Sequence, residues 1–190
     1  MYYREYLNEE QKEIDPKLRK AFNEALEQVF SRGYLLKISR KLSDFLIIEE
    51  VDEKEDVMAY NIGSKIFINK NTFHELSLKA QSRYLLHEFI HILQRKKGLL
   101  FSKFKEIRRL TIDIYSILKK HLTQPISVFL TGKNQDLGPG GKWEVLSYFM
   151  NNSINWNAVS KEGAELIERE IRNSGIFNTD SDFWKRRLPS

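Results

Sequence analysis

Apolar residues recur with helical spacing over most of the chain and with strand spacing only in its first third. Between residues 17 and 32, Phe22, Ala25, Leu26, Val29 and Phe30 fall three and four apart, the stripe of an amphipathic helix. Asp15-Pro16 supplies a cap and a first-turn proline ahead of it, and Gly33 supplies a stop. Three short strands are predicted next, over Phe45–Glu50, Val57–Ile62 and Lys65–Asn69, with Asn61-Ile62-Gly63-Ser64 turning the chain between the last two. The middle of the third, Ile66-Phe67-Ile68, is continuously apolar, so that strand should be short and substantially buried.

After Ser77 the period becomes helical. One helix is expected from about Leu78 to Lys97, stopped by Gly98, and a second from about Ser102 to His121. Pro125 interrupts, and a loop follows from Gly132 to Gly141 that contains Gly138-Pro139-Gly140-Gly141. Further helices should run from about Lys142 to Asn152 and from about Ala158 to Asn173. Residues 1–16 and the polar stretch 175–190 read as loosely held extensions. The resulting picture is one α+β domain over residues 1–190, with a small mixed or antiparallel sheet early and a helical half late.

Composition narrows the chemistry. The chain has 190 residues and no cysteine, which excludes a disulfide scaffold, a cysteine nucleophile, thiolate zinc fingers and iron–sulfur clusters. A transition metal must therefore be held by carboxylates and by His74, His87, His91 or His121, the four histidines present. No stretch approaches the roughly 18 apolar residues of a membrane span, and the N-terminus lacks a signal-peptide core. The expectation is a soluble, cytoplasmic protein.

The net charge of +5 is unevenly spread. Residues 61–141 hold 14 lysines and arginines against 5 acids. The densest run spans Arg95 to Arg109 and could meet nucleic acid or an acidic partner. Solvated helix ends explain the same charges, and no nucleic-acid motif accompanies them.

The expected long helix carries His87-Glu88-Phe89-Ile90-His91. Residues four apart share a helix face, so two imidazoles at this spacing can converge on one Zn²⁺. Glu88 sits one step round the helix, beside the metal rather than on it, where it can take a proton from a water that the metal has acidified. Leu86, Phe89, Ile90 and Leu93 anchor the same helix by an apolar stripe, with His87 and His91 at its border beside Tyr84.

A short apolar strand, Lys65–Asn69, followed by a helix bearing this motif resembles the core of the zincin metallopeptidases. The resemblance covers roughly residues 45–100 and extends toward 155. It implies Zn²⁺, hydrolysis of peptide bonds, His87 and His91 as ligands, Glu88 as general base, and a substrate extended along the last strand before the helix. A catalytic zinc site takes three protein ligands. The metzincin extension needs a histidine where this chain has Lys97, so that branch is excluded.

The gluzincin branch completes the site with a carboxylate, and the leading candidate is Glu144, at the start of an apolar helix behind a glycine-rich turn. Tyr148, one turn on, could steady an oxyanion. Asp113 in its apolar helix and His121 remain alternatives for the third ligand, and Asp113 could instead accept the free N–H of a ligand histidine. Glu106 and His74 read as surface residues. The separation of His91 from Glu144 exceeds that of compact gluzincins, and an inserted helix over residues 102–121 would account for it. The expected function is a zinc-dependent metallopeptidase acting on protein or peptide. The alternative is a regulatory or DNA-associated binding module built on the same scaffold, with little or no catalysis.

Overall fold

Asp15 opens the first helix, α1 (Pro16–Val29), by accepting a hydrogen bond from the Lys17 backbone N–H at 2.8 Å, and Pro16 occupies the first turn. Its buried stripe is Leu18, Phe22, Leu26 and Val29. The computed structural model describes residues 14–31, 33–44, 46–52, 58–95, 104–130 and 141–189. The expectation of a loose N-terminal extension therefore lies outside the described residues up to residue 13, and the described part, from Ile14 on, leads straight into α1.

The stop expected at Gly33 is followed at once by a second helix, α2 (Tyr34–Asp44), which the apolar pattern did not announce. Its buried positions mix Leu36 with two serines, Ser39 and Ser43, so polar residues interrupt its apolar pattern. Ser43 instead ties α2 to α1, through Asn23 at 3.3 Å and through an Arg19 bond to the Ser43 carbonyl at 2.9 Å.

Three strands follow: β1 (Ile47–Val51), β2 (Ala59–Ile62) and β3 (Lys65–Asn69). They form one mixed sheet in the order β1-β3-β2, with β1 parallel and β2 antiparallel to β3. Gly63, at φ 63°, makes the tight connection from β2 to β3, a conformation that a residue with a Cβ resists. The alternation of β3 buries Ile66 and Ile68, while Phe67 faces the other way and stacks on Tyr60 of β2 at 5.0 Å.

This topology corrects one expectation. β3 lies in the middle of the sheet with both edges paired, so no extended substrate can add to it. The strand that packs on the motif helix and has an unpaired edge among the described residues is β2.

A short helix, α3 (Lys70–Phe73), leads into α4 (Leu78–Arg95), the motif helix. The expected stop at Gly98 lies outside the described residues. Leu85, Leu86, Phe89, Ile90 and Leu93 of α4 are fully buried, and Phe89 meets Phe22 of α1 edge-on at 5.7 Å. Then come α5 (Phe104–His121), α6 (Ile126–Phe129), α7 (Glu144–Asn151), α8 (Lys161–Asn173) and α9 (Asp182–Lys185). Helix α7 packs along α4, and α5 lies between α4 and α8, which gives the long separation of motif and Glu144 its structural basis. Among the described residues, no helix is long and apolar enough to cross a membrane.

The stretch from residue 175 is not loosely held. Ile176, Phe177, Phe183, Trp184 and Leu188 are buried, and the Trp184 indole N–H donates to the Val29 carbonyl at 3.0 Å. These apolar residues are scattered among polar ones, so no periodic stripe shows locally, yet together they fill the space between α1 and α7. Arg187 closes the packing. It donates to the carbonyls of Phe149 (2.6 Å) and Met150 (3.2 Å) in the last turn of α7 and lies over the Phe183 ring at 3.5 Å. Burial, then Arg83 and Arg186, push its pKa down to about 9, so it is charged at neutral pH.

Candidate metal centre

His87 and His91 project from one face of α4, and α7 brings Glu144 against them across the helix interface. The Nε2 atoms of the two histidines are 3.2 Å apart. Glu144 Oε2 lies 3.2 Å from His91 Nε2 and 3.4 Å from His87 Nε2. Ligand atoms on neighbouring corners of a tetrahedron with bonds of about 2.0–2.1 Å are about 3.3–3.4 Å apart. The three atoms thus form one face of such a tetrahedron and could hold a metal ion, with the fourth corner left for a small ligand. Both histidines are buried and Glu144 is partly so.

The other candidates sit elsewhere. Asp113 pairs with Arg109 along α5 at 3.8 Å and is not part of the group. His121 points to Ser160, the cap of α8, at 3.2 Å and lies close to Glu162. His74 pairs with Glu50 at 2.9 Å on the exposed side of the sheet. In the described part of the basic run, Lys105 and Arg109 are exposed on α5 and Arg95 bonds to Asn61, while residues 96–103 lie outside the described residues.

Glu88 is only 7% exposed and stands beside the triad rather than in it. The side-chain amide of Asn61, on β2, donates to Glu88 Oε2, and Arg95 donates to the amide oxygen of Asn61. Tyr148, one turn after Glu144, has its ring 5.4 Å from that of His87, edge to face. Burial, and then Glu144 and Tyr84, raise its phenol above the usual value, so it remains a hydrogen-bond donor at neutral pH.

A second layer of polar groups holds the two histidines, and it was not foreseen from the sequence. Gln94 meets His91 Nδ1 with its Oε1 at 3.1 Å while its Nε2 donates to Thr111 of α5 and to the Trp143 carbonyl just ahead of α7, both at 3.1 Å. Asn151, at the far end of α7, meets His87 Nδ1 at 3.1 Å. A ligand imidazole characteristically donates its second N–H to an acceptor, the arrangement that Gln94 Oε1 offers His91. A signal was present, because Glu144, Tyr148 and Asn151 fall at i, i+4 and i+7 on one face of α7.

Glu144 and His91 stabilise each other's charged forms against burial. Burial opposes the imidazolium of His91, but the bond and charge of Glu144, aided by Glu88, outweigh it and raise its pKa. Burial likewise opposes ionisation of Glu144, yet His87 and His91 hold its carboxyl far below the ordinary range. The stabilisation from His91 is complete below its ordinary value of 6.5 and is lost as pH rises through the raised one. That from Glu144 is complete above 4.5 and is lost as pH falls toward the depressed value. The melting temperature of metal-free wild type should therefore exceed that of Glu144→Gln most clearly between pH 4.5 and 6.5. Thermal melts in excess chelator read this directly, and a difference that grows at alkaline pH contradicts it.

No family model matches the chain, and no curated protein or solved structure does either.

Proposed function

We propose that the protein is a zinc-dependent metallopeptidase, with His87, His91 and Glu144 as ligands and Glu88 as general base. The observation that carries the reading is the near-equilateral triangle of Nε2, Nε2 and Oε2 atoms at 3.2–3.4 Å, beside a buried carboxylate that does not belong to it. Two neutral nitrogens and one carboxylate are a catalytic zinc donor set, which leaves a position open, whereas structural zinc sites are closed by four protein ligands. Zinc held there supplies Lewis acidity, which polarises a substrate carbonyl and lowers the pKa of the attacking water.

The remaining work falls to the chain's own side chains. Asn61 fixes one oxygen of Glu88 and leaves the other to take the proton of the attacking water and then deliver it to the leaving amine. The Tyr148 hydroxyl, beside His87, donates to the oxygen on which negative charge develops. The edge of β2 turned away from β3, where no strand pairs among the described residues, is the place where an extended peptide can hydrogen-bond within reach of Glu88.

The test is metal analysis of protein purified without chelator, together with cleavage of an unstructured protein such as casein. One zinc per chain is expected, with cleavage abolished by chelation and restored by zinc. A chain that neither carries nor takes up zinc overturns the reading.

A further inference from the structure

Each ligand histidine meets a side-chain amide at its second ring nitrogen, but the two amides are held in different ways. Gln94 is locked. Its Nε2 donates to the Trp143 carbonyl, which can only accept, and to Thr111, whose own hydroxyl proton goes to the Ile107 carbonyl at 2.8 Å. Its Oε1 must therefore be the atom that faces His91, and His91 Nδ1 must be the donor. The Nε2 lone pair of neutral His91 is then directed at the metal position.

Asn151 is arranged the other way round. Its Nδ2 faces His87 Nδ1 at 3.1 Å, and its Oδ1 is buried with no hydrogen-bond partner among the described residues. An amide N–H donating to Nδ1 requires the ring proton to sit on Nε2, the nitrogen that a metal needs free. An orphaned buried carbonyl oxygen has lost its water without gaining a donor in exchange. Nothing among the described residues holds that oxygen where it is, so half a turn about the last side-chain bond is not opposed by a bond that must break at Oδ1.

We propose that Asn151 is a positioning residue for the metal, whose amide turns over on metal binding so that Oδ1 accepts the Nδ1–H of His87. In the metal-free chain the same side chain holds His87 in the opposite tautomer. The proton on Nε2 leaves to solvent, ending its bond to Glu144, and another arrives at Nδ1 from solvent, where the bond from Asn151 Nδ2 is replaced by one to Oδ1, so the ring stays neutral. His91 thus already has the Nδ1 arrangement of a ligand and need only give up an Nε2 proton, whereas His87 must also be reset at Nδ1. The inference rests on the metal reading of the site, but its first test does not.

That test is long-range proton–nitrogen NMR of the histidine rings in the full chain. Metal-free His87 is expected with its proton on Nε2, and the zinc-loaded form with its proton on Nδ1, while His91 carries Nδ1–H in both. Asn151→Asp, whose carboxylate can only accept, should show Nδ1–H before metal is added and bind zinc at least as tightly as wild type. Asn151→Leu should bind zinc about 10–100-fold more weakly, the usual loss when such a partner is removed. The proposal is overturned by a metal-free His87 that already carries Nδ1–H in wild type, or by equal zinc affinity in wild type and the leucine variant. Should the leucine variant fail to fold, the wild-type and aspartate spectra decide the matter alone. A wild type that shows Nε2–H yet takes up no zinc overturns both this proposal and the metal reading, whereas one that takes up zinc with its tautomer unchanged overturns this proposal only.

Discussion

Replacing Glu88 by glutamine is expected to leave zinc in place and to lower peptide hydrolysis by about 10²–10⁴-fold, the usual contribution of a positioned general base. The substitution keeps the size of the side chain and its bond from Asn61, because the glutamine carbonyl oxygen can accept where Oε2 does. What it loses is the ability to take a proton. Its position beside the ligand triad explains why metal affinity should hardly change. Zinc stoichiometry and cleavage rate, measured on the same preparation, test the two halves together. A variant that loses metal places Glu88 among the ligands, and one that cleaves at the wild-type rate removes it from the chemistry.

Glu144→Ala should have the opposite signature. It removes one corner of the ligand triangle and the single negative charge in it. Zinc affinity should fall by more than the 10–100-fold expected for second-layer partners, and activity should vanish with it. Competition against a chromophoric chelator reads the affinity. His87 and His91 lie about one turn apart on α4 and would still offer two nitrogens, so residual weak binding is compatible with the reading. Unchanged affinity would instead make Glu144 a bystander.

The parts of this site that were legible in the sequence are those with a fixed spacing. His87 and His91 stand four positions apart because a helix returns to the same face in that distance, and the apolar stripe through Leu86, Phe89 and Ile90 shows that it is a helix. Glu144 stood out because an acid opens an otherwise apolar helix. Asn61, Gln94 and Asn151 did not stand out, since amides are ordinary surface residues and only their burial beside a histidine or Glu88 gives them a role. The order of the sheet was equally hidden. Strand positions can be read from local alternation, but β1 pairs with β3 across an intervening strand, and that is decided by packing of distant segments. Helix α2 and the C-terminal segment were missed for related reasons, one because serines interrupt its buried apolar residues and the other because its apolar residues are not periodic.

Helix α7 is fastened at each end: by Gln94 at the Trp143 carbonyl ahead of it, by Asn151 to His87, and by Arg187 at its last carbonyls. The C-terminal segment that carries Arg187 is itself locked onto α1 through Trp184. Segments tied in this way open as one cooperative unit rather than fraying one by one. Ligation at a single point should then slow backbone amide exchange across α4, α7 and the segment around Trp184 by a common factor, because binding to the closed form alone lowers the population of every opened form that lacks the site.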